Sequence, residues 1–373
     1  MPDDASGPER AREQDHAYMR RALDLARRGW GQTAPNPMVG AVVVRDGEIV
    51  GEGWHARFGA DHAEVVALRA AGDRARGGTL YVTLEPCNHY GKTPPCTEAV
   101  LAAGVARVVV ASPDPNPDAY GGVARLRAAG VRVEAGVEEP ASRELNAPFF
   151  HAFASTRPWV VLKLALSLDG ALADARGERG SARRWLTGNE ARAEVHRLRA
   201  GSDAIAVGIG TVLADDPRLT VRDASPPRVP PRRIVFDSQL RIPLDSALVR
   251  TAREVPTTVV ARDPDPARQA ALCAARVEVR RSPSLAHALG ALAADGVHSL
   301  LVEGGARLAG ALLAGALVDR LIIFQAPVLL GAGALNAFAY VPEDAAAMLG
   351  RLRIVDRRPV GDDLMTTYAF GAA

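Results

Sequence analysis

Cysteine is scarce in this sequence of 373 residues, which contains only Cys87, Cys96 and Cys273. So few cysteines exclude a scaffold of disulfide bonds and favour metal binding or catalysis as the role of the thiols. No stretch of about 18 residues is apolar and free of charge, so we expect no transmembrane helix. The N-terminus also lacks the apolar segment of a signal peptide, and the sequence therefore predicts a cytoplasmic protein.

Neither sign of charge is in large excess, since 45 basic residues face 43 acidic ones and the formal net charge is +2. This balance provides no electrostatic attraction for nucleic acid or for an anionic membrane surface. A stripe of basic and aromatic residues, which a single-strand binder would need, is absent as well. We therefore expect a small molecule as the partner. The oligomeric state stays open, with a homo-oligomer among the options.

Lysine is rarer still and occurs only at Lys92 and Lys163. In a chain that uses arginine almost everywhere, a retained lysine is a candidate for a site that needs a compact ammonium group. Lys163 lies among apolar residues of a predicted strand, where a charge is costly unless it faces a site. We interpret it as pointing into a cleft, where it can act as an acid. The alternative is that these two lysines have been retained by chance and have no functional role.

Apolar periodicity predicts two successive α/β layers. In the first layer we predict helices at 15–28, 63–71, 97–103 and 123–129, and strands at 39–44, 48–54, 79–84, 105–111 and 131–135. In the second we predict strands at 159–166, 203–207, 233–236, 255–261, 299–303 and 320–324, and helices at 189–200, 285–294 and 305–313. The pattern weakens between about 140 and 158, where three prolines cluster. We place the boundary there, with domains at 1–148 and 158–373.

The most specific signal is His62-Ala63-Glu64 followed by Pro86-Cys87 and then by Cys96. One imidazole and two thiols make three ligands, and a catalytic zinc keeps three protein ligands and leaves the fourth position to water. Zinc lowers the pKa of that water, and Glu64 can transfer protons without ligating. This pattern is typical of zinc-dependent base deaminases.

Two features bear on this zinc site. Positions i and i+2 of a helix point about 200° apart, so His62 and Glu64 can share a site only beyond a helix N-terminus. Cys96 also opens a predicted helix, where the pKa of a thiol is lowered. The cysteines are nine residues apart, whereas C-x-x-C is the common deaminase spacing. The alternatives are a closed structural zinc with His55 or His89 as fourth ligand, or two inert buried cysteines.

The second layer lacks a G-x-G-x-x-G motif after a strand, because Gly208-x-Gly210 has no third glycine, and this disfavours a Rossmann fold. Glu303-Gly304-Gly305 instead joins a predicted strand to a predicted helix. Small residues before a helix N-terminus suit a phosphate group. The alternative is an ordinary tight turn.

Longer motifs add a family resemblance. The segment Asn88–Cys96, together with residues 35–40 and 114–117, closely resembles the deaminase domain of the bifunctional riboflavin-biosynthesis deaminase/reductase family. The second half resembles the reductase domain of the same family through residues 163–170, 185–187, 211–217, 237–238 and 302–305. The resemblance extends from about residue 15 to the C-terminus. It implies a cytidine deaminase-like N-terminal domain and a dihydrofolate reductase-like C-terminal domain.

The function that this resemblance implies has two steps. Zinc-dependent deamination of 2,5-diamino-6-ribosylamino-4(3H)-pyrimidinone 5′-phosphate is followed by reduction of the ribosyl to a ribityl side chain with NADPH. The resemblance implies that the metal ligands are His62, Cys87 and Cys96, that the catalytic residue of the deaminase is Glu64, and that the residues binding its substrate are Asn36, His55 and Lys92. The reductase substrate would contact Arg183, Arg199, Leu219, Arg222 and Glu303. NADPH would contact Ala165, Trp185, Thr211, Asp215, Ser238, Gly305, Ala306, Arg307, Leu308, Ala309, Gly310 and Ala311.

One position departs from the family pattern, and several residues keep a plainer interpretation. Arg183 stands where the family has a substrate-contacting serine, so that either Arg183 or Ser181 takes this contact, or the arginine-rich segment is a solvated loop. Asn36 can be a turn residue before a proline, and His55 can be a buried core histidine. Arg199 can be a solvated helix residue. Cys273 lies in an alanine-rich helical stretch and is interpreted as a bystander.

Three other functions are alternatives to the bifunctional enzyme. The first is a deaminase with a degenerate second domain, which Lys163, Asp215 and Glu303 argue against. The second is a nucleic-acid-editing deaminase, which the charge balance opposes. The third is a zinc-stabilised scaffold, for which a fully ligated metal would be the evidence.

Overall fold

The computed structural model describes residues 6–91, 94–174, 185–350 and 352–370. The chain divides into two compact units, Met1–Ala154 and Ser155–Ala373. Each unit has its own sheet and its own apolar core. The two units are described separately below.

The first unit is a five-stranded sheet with helices packed against it. Its sheet order is β2-β1-β3-β4-β5; β1 is antiparallel to β2 and β3, whereas β3, β4 and β5 are parallel. The elements are α1 (Ser6–Ala26), β1 (Gly40–Arg45), β2 (Glu48–Trp54), α2 (Ala63–Ala71), β3 (Thr79–Leu84), α3 (Cys96–Ala103), β4 (Arg107–Ser112), α4 (Gly122–Ala128), β5 (Arg132–Ala135), α5 (Glu139–Leu145) and α6 (Ala147–Ala154). Alternate residues of β1 and β3, namely Ala41, Val43, Leu80 and Val82, belong to the apolar core between the sheet and the helices.

Helix α2 packs unusually close to strand β2. A Cβ atom at Gly53 would lie 2.5 Å from the carbonyl oxygen of Ala63 and 2.5 Å from the backbone nitrogen of Ala67. No other residue type fits there without moving the helix, because real Cβ atoms do not approach so closely. The missing side chain therefore sets the position of the first turn of α2 against the sheet.

The second unit is built on a nine-stranded sheet in the order β11-β10-β9-β8-β12-β6-β13-β16-β15. The first seven of these strands are mutually parallel, and β16 and β15 are added antiparallel at one edge. The elements are β6 (Trp159–Leu166), β7 (Ala171–Ala173), α7 (Asn189–Ala200), β8 (Ala204–Gly208), α8 (Ile209–Asp215), β9 (Arg232–Phe236), α9 (Ala247–Arg250), β10 (Thr257–Ala261), α10 (Pro266–Ala274), β11 (Glu278–Arg281), α11 (Leu285–Ala294), β12 (Ser299–Glu303), α12 (Ala306–Ala314), β13 (Arg320–Gln325), β14 (Leu335–Asn336), α13 (Glu343–Leu349), β15 (Arg353–Val360) and β16 (Asp363–Ala369). The carboxyl ends of the parallel strands therefore meet at one edge, where ligands of open α/β sheets bind.

Most predicted elements recur with shifts of one to two residues at their ends, but the helix predicted at 15–28 already begins at Ser6. The sequence did not predict helices α8, α9 and α13 or strands β7, β11 and β14, and two further regions also differ. The proline cluster holds helices α5 and α6, because Pro140 and Pro148 lie in first turns, where proline is well tolerated. The division into units falls after Ala154, at the end of α6. Strands β15 and β16 were not predicted. Most positions of the edge strand β15 are exposed, so it carries no apolar alternation.

No helix in the described ranges combines the length and the apolar character that crossing a membrane would require. Cys273 lies near the end of α10 and is exposed.

Candidate functional site

The first unit brings together His62, Cys87 and Cys96. His62 is the residue before α2, Cys96 is the first residue of α3, and Cys87 follows β3 by three residues. His62 Nδ1 lies 3.1 Å from Cys96 Sγ and 3.6 Å from Cys87 Sγ, and all donor atoms are within 4.8 Å of one another. The cluster therefore lies at two helix N-termini, as the spacing of His62 and Glu64 predicted.

These three residues fit a zinc ion. Zinc bonds of about 2.3 Å to sulfur and about 2.0–2.1 Å to nitrogen separate tetrahedral ligand atoms by roughly 3.5–3.8 Å. The separations between the imidazole nitrogen and the two sulfur atoms are close to these values. A hydrogen bond from Cys96 lowers the pKa of Cys87 to about 4, and burial acts in the opposite direction. A thiolate, the form that binds metal, is thus already favoured at Cys87.

The fourth coordination position has no protein ligand among the residues that the structure describes. His55 is close, with its ring centroid 5.4 Å from that of His62, but both of its nitrogens are engaged. Its Nδ1 is 3.2 Å from the carbonyl oxygen of Asp61, and its Nε2 is 3.4 Å from Asn36 Nδ2. His89 is not part of the ligand cluster either. The arrangement is that of an open, catalytic site rather than a closed, structural one.

Glu64 faces the same pocket from the first turn of α2. Its side chain is almost completely buried, and burial raises its pKa to about 6. A carboxyl group with a pKa near neutrality both accepts and donates a proton readily, which suits general acid–base catalysis. His62 and Glu64, two positions apart, reach one site because His62 still has an extended backbone (φ −74°, ψ 159°) while Glu64 is helical.

The pocket beside this cluster has a volume of about 230 Å³ and is lined by Asn36, His55, His62, Glu64 and Cys87, among others. Because the Asp61 carbonyl accepts from Nδ1–H of His55, Nε2 is left to accept from the amide of Asn36. Burial lowers the pKa of His55, which favours this neutral form. The predicted contact Lys92 lies outside the described residues.

Sequence reasoning assigned no role to four further residues that line this pocket: Glu85, Asp114, Asn116 and Phe149. Asp114 and Asn116 belong to an Asp-Pro-Asn-Pro motif that directly follows β4, and this position after a parallel strand was the available signal. Glu85 accepts hydrogen bonds from three backbone N–H groups, those of Asp114, Gly121 and Val123, and so shapes the wall.

In the second unit a cleft of about 1940 Å³ runs along the carboxyl edge of the parallel strands. Fifteen of the predicted substrate and cofactor residues line it: Lys163, Ala165, Trp185, Arg199, Thr211, Asp215, Leu219, Arg222, Ser238, Glu303, Gly305, Ala306, Arg307, Leu308 and Ala311. Ala309 and Gly310 do not line it: Ala309 packs in the apolar core, and Gly310 lies against the backbone of Tyr340, where a Cβ atom would be 2.4 Å from the carbonyl oxygen. Arg183 and Ser181 lie outside the described residues.

The centre of this cleft holds a group of buried charges. Glu303 and Lys163 are register partners on the adjacent strands β12 and β6. The guanidinium of Arg199 donates two hydrogen bonds to Glu303, with 2.8 Å between Nη2 and Oε2. Burial alone would raise the pKa of Glu303, but Arg199 and then Lys163 outweigh it and hold this pKa below its usual value. Burial disfavours the charged form of Lys163 and therefore lowers its pKa, while the negative charge of Glu303 raises it.

The segment that carries Leu219 and Arg222 is held in place by α7. Arg199 Nη1 donates to the carbonyl oxygen of Thr220 at 2.8 Å, and the backbone N–H of Arg222 donates to Nδ1 of His196 at 3.3 Å. Arg199 is therefore nearly buried and bonded, not a solvated helix residue. His196 also lines the cleft and was missed. Its position three residues before Arg199 on one helix face was the signal.

A second set of backbone groups opens onto the cleft where β12 meets α12. Gly304 and Gly305 have positive φ angles of 76° and 86°, and a Cβ atom at Gly305 would lie 3.2 Å from Thr211 Oγ1. The turn therefore brings the N-terminus of α12 close to the side chain of Thr211 in α8. This is an arrangement in which backbone N–H groups can receive a phosphate.

Each of the two units matches a known protein family. A family model of the cytidine and deoxycytidylate deaminase zinc-binding region matches residues 12–112, and a model of the RibD C-terminal domain matches residues 158–365. The chain is thus a zinc-dependent deaminase domain joined to a reductase domain. It is 45% identical over 324 residues to riboflavin biosynthesis protein RibD of Aquifex aeolicus, covering 86% of this chain and 89% of that protein. The chain belongs to the RibD family.

Further relatives cover almost the whole chain. RibD of Escherichia coli K12 is 43% identical over 366 residues, covering 94% of this chain and 98% of that protein. Acinetobacter baumannii RibD has a TM-score of 0.83 at 39% identity and covers 97% of this chain and 100% of its own. A Thermotoga maritima diaminohydroxyphosphoribosylaminopyrimidine deaminase/5-amino-6-(5-phosphoribosylamino)uracil reductase has a TM-score of 0.83 at 32% identity, with the same coverage.

Family membership confirms four predictions made from the sequence: the deaminase-like and reductase-like folds, the two enzyme activities, the place in riboflavin biosynthesis, and zinc with NADPH as cofactors. The alternative of a degenerate second domain is not favoured.

Proposed function

We propose that this chain deaminates 2,5-diamino-6-ribosylamino-4(3H)-pyrimidinone 5′-phosphate with residues 1–148 and then reduces the ribosyl side chain of the product with residues 158–373. The observation that carries the proposal is the cluster of three ligands with an open fourth position next to the buried Glu64. A small molecule fits a pocket of about 230 Å³, whereas the buried location of the cluster leaves no room for a helical nucleic acid.

In the first step, the residues that would hold the zinc are His62, Cys87 and Cys96. When bound, zinc would supply a nucleophile by lowering the pKa of water. Glu64 accepts a proton in this pocket and delivers it to the departing amine, since its raised pKa allows both transfers. Asn36 and His55, which line the same pocket, orient the pyrimidine, and Lys92 pairs with the phosphate.

In the second step, NADPH supplies the hydride. Lys163 donates a proton to the sugar oxygen as the C1′ carbon is reduced, and the negative charge of Glu303 on the neighbouring strand favours the ammonium form of Lys163. The sugar phosphate contacts Arg199, Leu219, Arg222 and either Arg183 or Ser181. The residues that would hold the cofactor are Ala165, Trp185, Thr211, Asp215, Ser238 and those of the first turns of α12 that line the cleft. Ala309 and Gly310 support α12 from its buried side.

We also propose a cytoplasmic location, because the three cysteines are free thiols and a reducing compartment preserves them. We propose no nucleic-acid or membrane partner. Sedimentation would measure whether the chain forms a homo-oligomer.

The test follows NADPH absorbance after the diaminopyrimidine ribosyl phosphate is added. The native protein is compared with Cys87→Ala and with Cys273→Ala, which removes an exposed thiol outside both sites. We expect NADPH consumption by the native protein and by Cys273→Ala. We expect none by Cys87→Ala until the already deaminated compound is supplied.

Two results would contradict the proposal. If the deaminated compound causes no NADPH loss in the native protein, the second step is wrong. If Cys87→Ala consumes NADPH with the amino substrate as fast as the native protein does, the first step does not depend on the metal ligands.

A further inference from the structure

Strand β9 carries an arginine inside the core of the second unit. Arg233 is 0% exposed and is the largest of the fully buried side chains that the structure describes. Its two Nη atoms form five hydrogen bonds, and each ends on an oxygen atom that carries no full charge. The acceptors are the carbonyl oxygens of Arg218, Leu248, Thr251 and Val255 and the hydroxyl oxygen of Thr251.

A cation in this position is costly, because burial removes its hydration. Burial lowers the pKa of Arg233 to about 10, while the negative charge of Glu254 acts in the opposite direction, so the side chain stays charged at neutral pH. An apolar side chain of similar size would fill the same space at a lower cost. It could not, however, join the carbonyl group of Arg218 to those of residues 248–255, and this is what the guanidinium does.

The segment that Arg233 contacts at Arg218 has an unusual backbone. Asp216 and Leu219 have positive φ angles of 41° and 49°. This left-handed region is sterically unfavourable for a side chain as large as leucine. Such a conformation persists only where the surrounding structure holds it, and it is found most often at functional sites. Leu219 lines the reductase cleft, so the strained residue is one of the predicted substrate contacts.

Helix α9 connects the two ends of this arrangement. The backbone N–H of Ala247, its first residue, donates to Oδ1 of Asp216 at 2.7 Å. At the C-terminal end of the helix, Nη2 of Arg233 donates to two backbone carbonyl groups at 3.0 and 3.2 Å. The first N–H and last carbonyl groups of a helix lack partners within it, so α9 can offer both. Nη1 of Arg233 then reaches the Arg218 carbonyl at 3.3 Å, and residues 216–218 are attached at both ends.

The other half of the segment is attached to α7. The hydrogen bonds from α7 act on Thr220 and Arg222, whereas those of Arg233 and Asp216 act on residues 216–218. Leu219 lies between the two attachments, and its side chain packs in the apolar core. The α7 residues that make these bonds line the cleft themselves, but Arg233 does not. Arg233 can therefore act on a bound ligand only through the segment.

We propose that Arg233 is a positioning residue of the reductase, which fixes the backbone of residues 216–219 so that Leu219 and Arg222 meet the sugar phosphate. The inference rests on the proposed reductase function. It assigns a role to a residue that lies outside the cleft and outside the motifs of the family resemblance. Loss of the attachment should weaken substrate binding rather than slow the chemical step, because Lys163 on β6 is not part of it.

Two sets of variants of the full chain test the proposal. Arg233→Lys keeps the positive charge but gathers three donors on one atom, so that it cannot span the carbonyl groups on both sides. Asp216→Ala removes the second attachment at a half-buried position, and Asp216→Asn restores an oxygen that can accept from Ala247. The control is Arg157→Lys, which alters another structural arginine of the same unit, bonded to Asp319 and outside the cleft.

Hydrogen exchange followed by mass spectrometry measures the segment directly, without turnover. We expect the amides of residues 216–222 to exchange about tenfold faster in Arg233→Lys and in Asp216→Ala, with those of α10 unchanged. Oxidation of NADPH with the deaminated substrate should show a KM raised about tenfold and a kcat within about twofold of the native value. The dissociation constant for NADPH should not change. Asp216→Asn should recover most of the native behaviour, and Arg157→Lys should retain all of it.

Three results would overturn the inference. The first is native exchange and native KM in both Arg233→Lys and Asp216→Ala. The second is faster exchange of the segment with an unchanged KM, since its position would then not matter to the substrate. The third is a KM raised equally by Arg157→Lys, which would mean a general loss of stability.

The design also separates the inference from the function on which it rests. If Arg233→Lys does not fold, the two Asp216 variants decide by the same criteria. If the native protein does not oxidise NADPH with the deaminated compound, the reductase function falls. Hydrogen exchange then still shows whether Arg233 holds residues 216–219.

Discussion

The deaminase pocket and the reductase cleft place their functional side chains in opposite ways. In the pocket, three ligands and one glutamate come from two helix N-termini and one loop. They lie together beside a cavity of about 230 Å³. In the cleft, residues from seven parallel strands or the turns after them are spread along a volume of about 1940 Å³. Chemistry is concentrated in the pocket, whereas binding is distributed along the cleft.

This difference has a consequence for mutations. A substitution in the pocket removes one member of a small set that acts on a single reacting group, so its loss should be nearly complete. A substitution in the cleft removes one contact of many, and Arg199 shows that such a contact also supports the fold. We therefore expect all-or-none effects in the first unit and graded, mixed effects in the second.

The largest expected effect tests the concentrated chemistry of the pocket. Glu64→Gln keeps the size of the side chain but removes its proton transfer, and we expect deaminase kcat to fall by about 10²–10⁴. Zinc content and NADPH oxidation with deaminated substrate should stay at native levels. Atomic absorption and the two activity assays measure this, with Glu48→Gln on the exposed surface of β2 as the control. Retained deamination would remove Glu64 from the mechanism.

The second largest effect tests how much Arg199 contributes to the free energy of unfolding. Arg199→Met leaves Glu303 buried without its bidentate partner, which costs about 3–5 kcal/mol of the free energy of unfolding. Urea unfolding of the full chain measures it. Arg197→Met on the same helix is the matched control, because Arg197 pairs with Glu194 at a more exposed position. Equal stability of the two variants would contradict a structural role for Arg199.

A variant of Lys163 tests whether this one residue of the reductase cleft donates the proton in the reduction. We expect Lys163→Ala to lower reductase kcat by about 10², because the proton donor is lost while Glu303 keeps its bond to Arg199. The dissociation constant for NADPH should not change. Single-turnover oxidation of NADPH with deaminated substrate gives the rate. Full turnover in this variant would exclude Lys163 as the acid.

The smallest effect concerns the scaffold of the first unit, where Asp15 of α1 is bonded to Tyr81 of β3 and to Arg107 of β4. Burial raises the pKa of Asp15, but the hydrogen bonds from Arg107 and Tyr81 outweigh it and hold this pKa below its usual value. Asp15 therefore stabilises the fold above its unfolded pKa of about 3.9, and this contribution is lost as the pH falls through the lower folded pKa.

We expect Asp15→Asn to lower the free energy of unfolding by about 1.5 kcal/mol at neutral pH, with deamination unaffected. The difference between variant and native protein should close as the solution is made acidic. Denaturant unfolding at several pH values measures both. A difference that stays constant with pH would mean that the charge of Asp15 contributes nothing.

The sequence predicted the compact deaminase pocket more completely than the extended reductase cleft. The zinc ligands were found because their spacing is local and the metal restricts which residue types can bind it. The need for a helix N-terminus at His62 was predicted and is confirmed by the extended backbone there. Glu85 was not found, because only the fold brings the backbone N–H groups of Asp114, Gly121 and Val123 to its carboxylate.

Two parts of the fold were not predicted, for physical reasons. The clustered prolines led to a domain boundary between about 140 and 158, and helices α5 and α6 in that region were missed because Pro140 and Pro148 occupy first helical turns, where the missing N–H of proline is not needed. Strand β15 carries mostly polar residues because it is the last strand of its sheet, and its pairing with β16 is visible only in three dimensions.

The glycine at position 53 has a practical consequence for anyone who redesigns this enzyme for durability. Replacing a strand glycine with alanine is a standard way to stiffen a protein, and Gly53 would be chosen on sequence grounds alone. A methyl group there would displace the first turn of α2, which carries Glu64 and is preceded by His62. Gly53→Ala would therefore lower the stability of the first unit, because the helix must move to make room, and would lower deaminase activity as well.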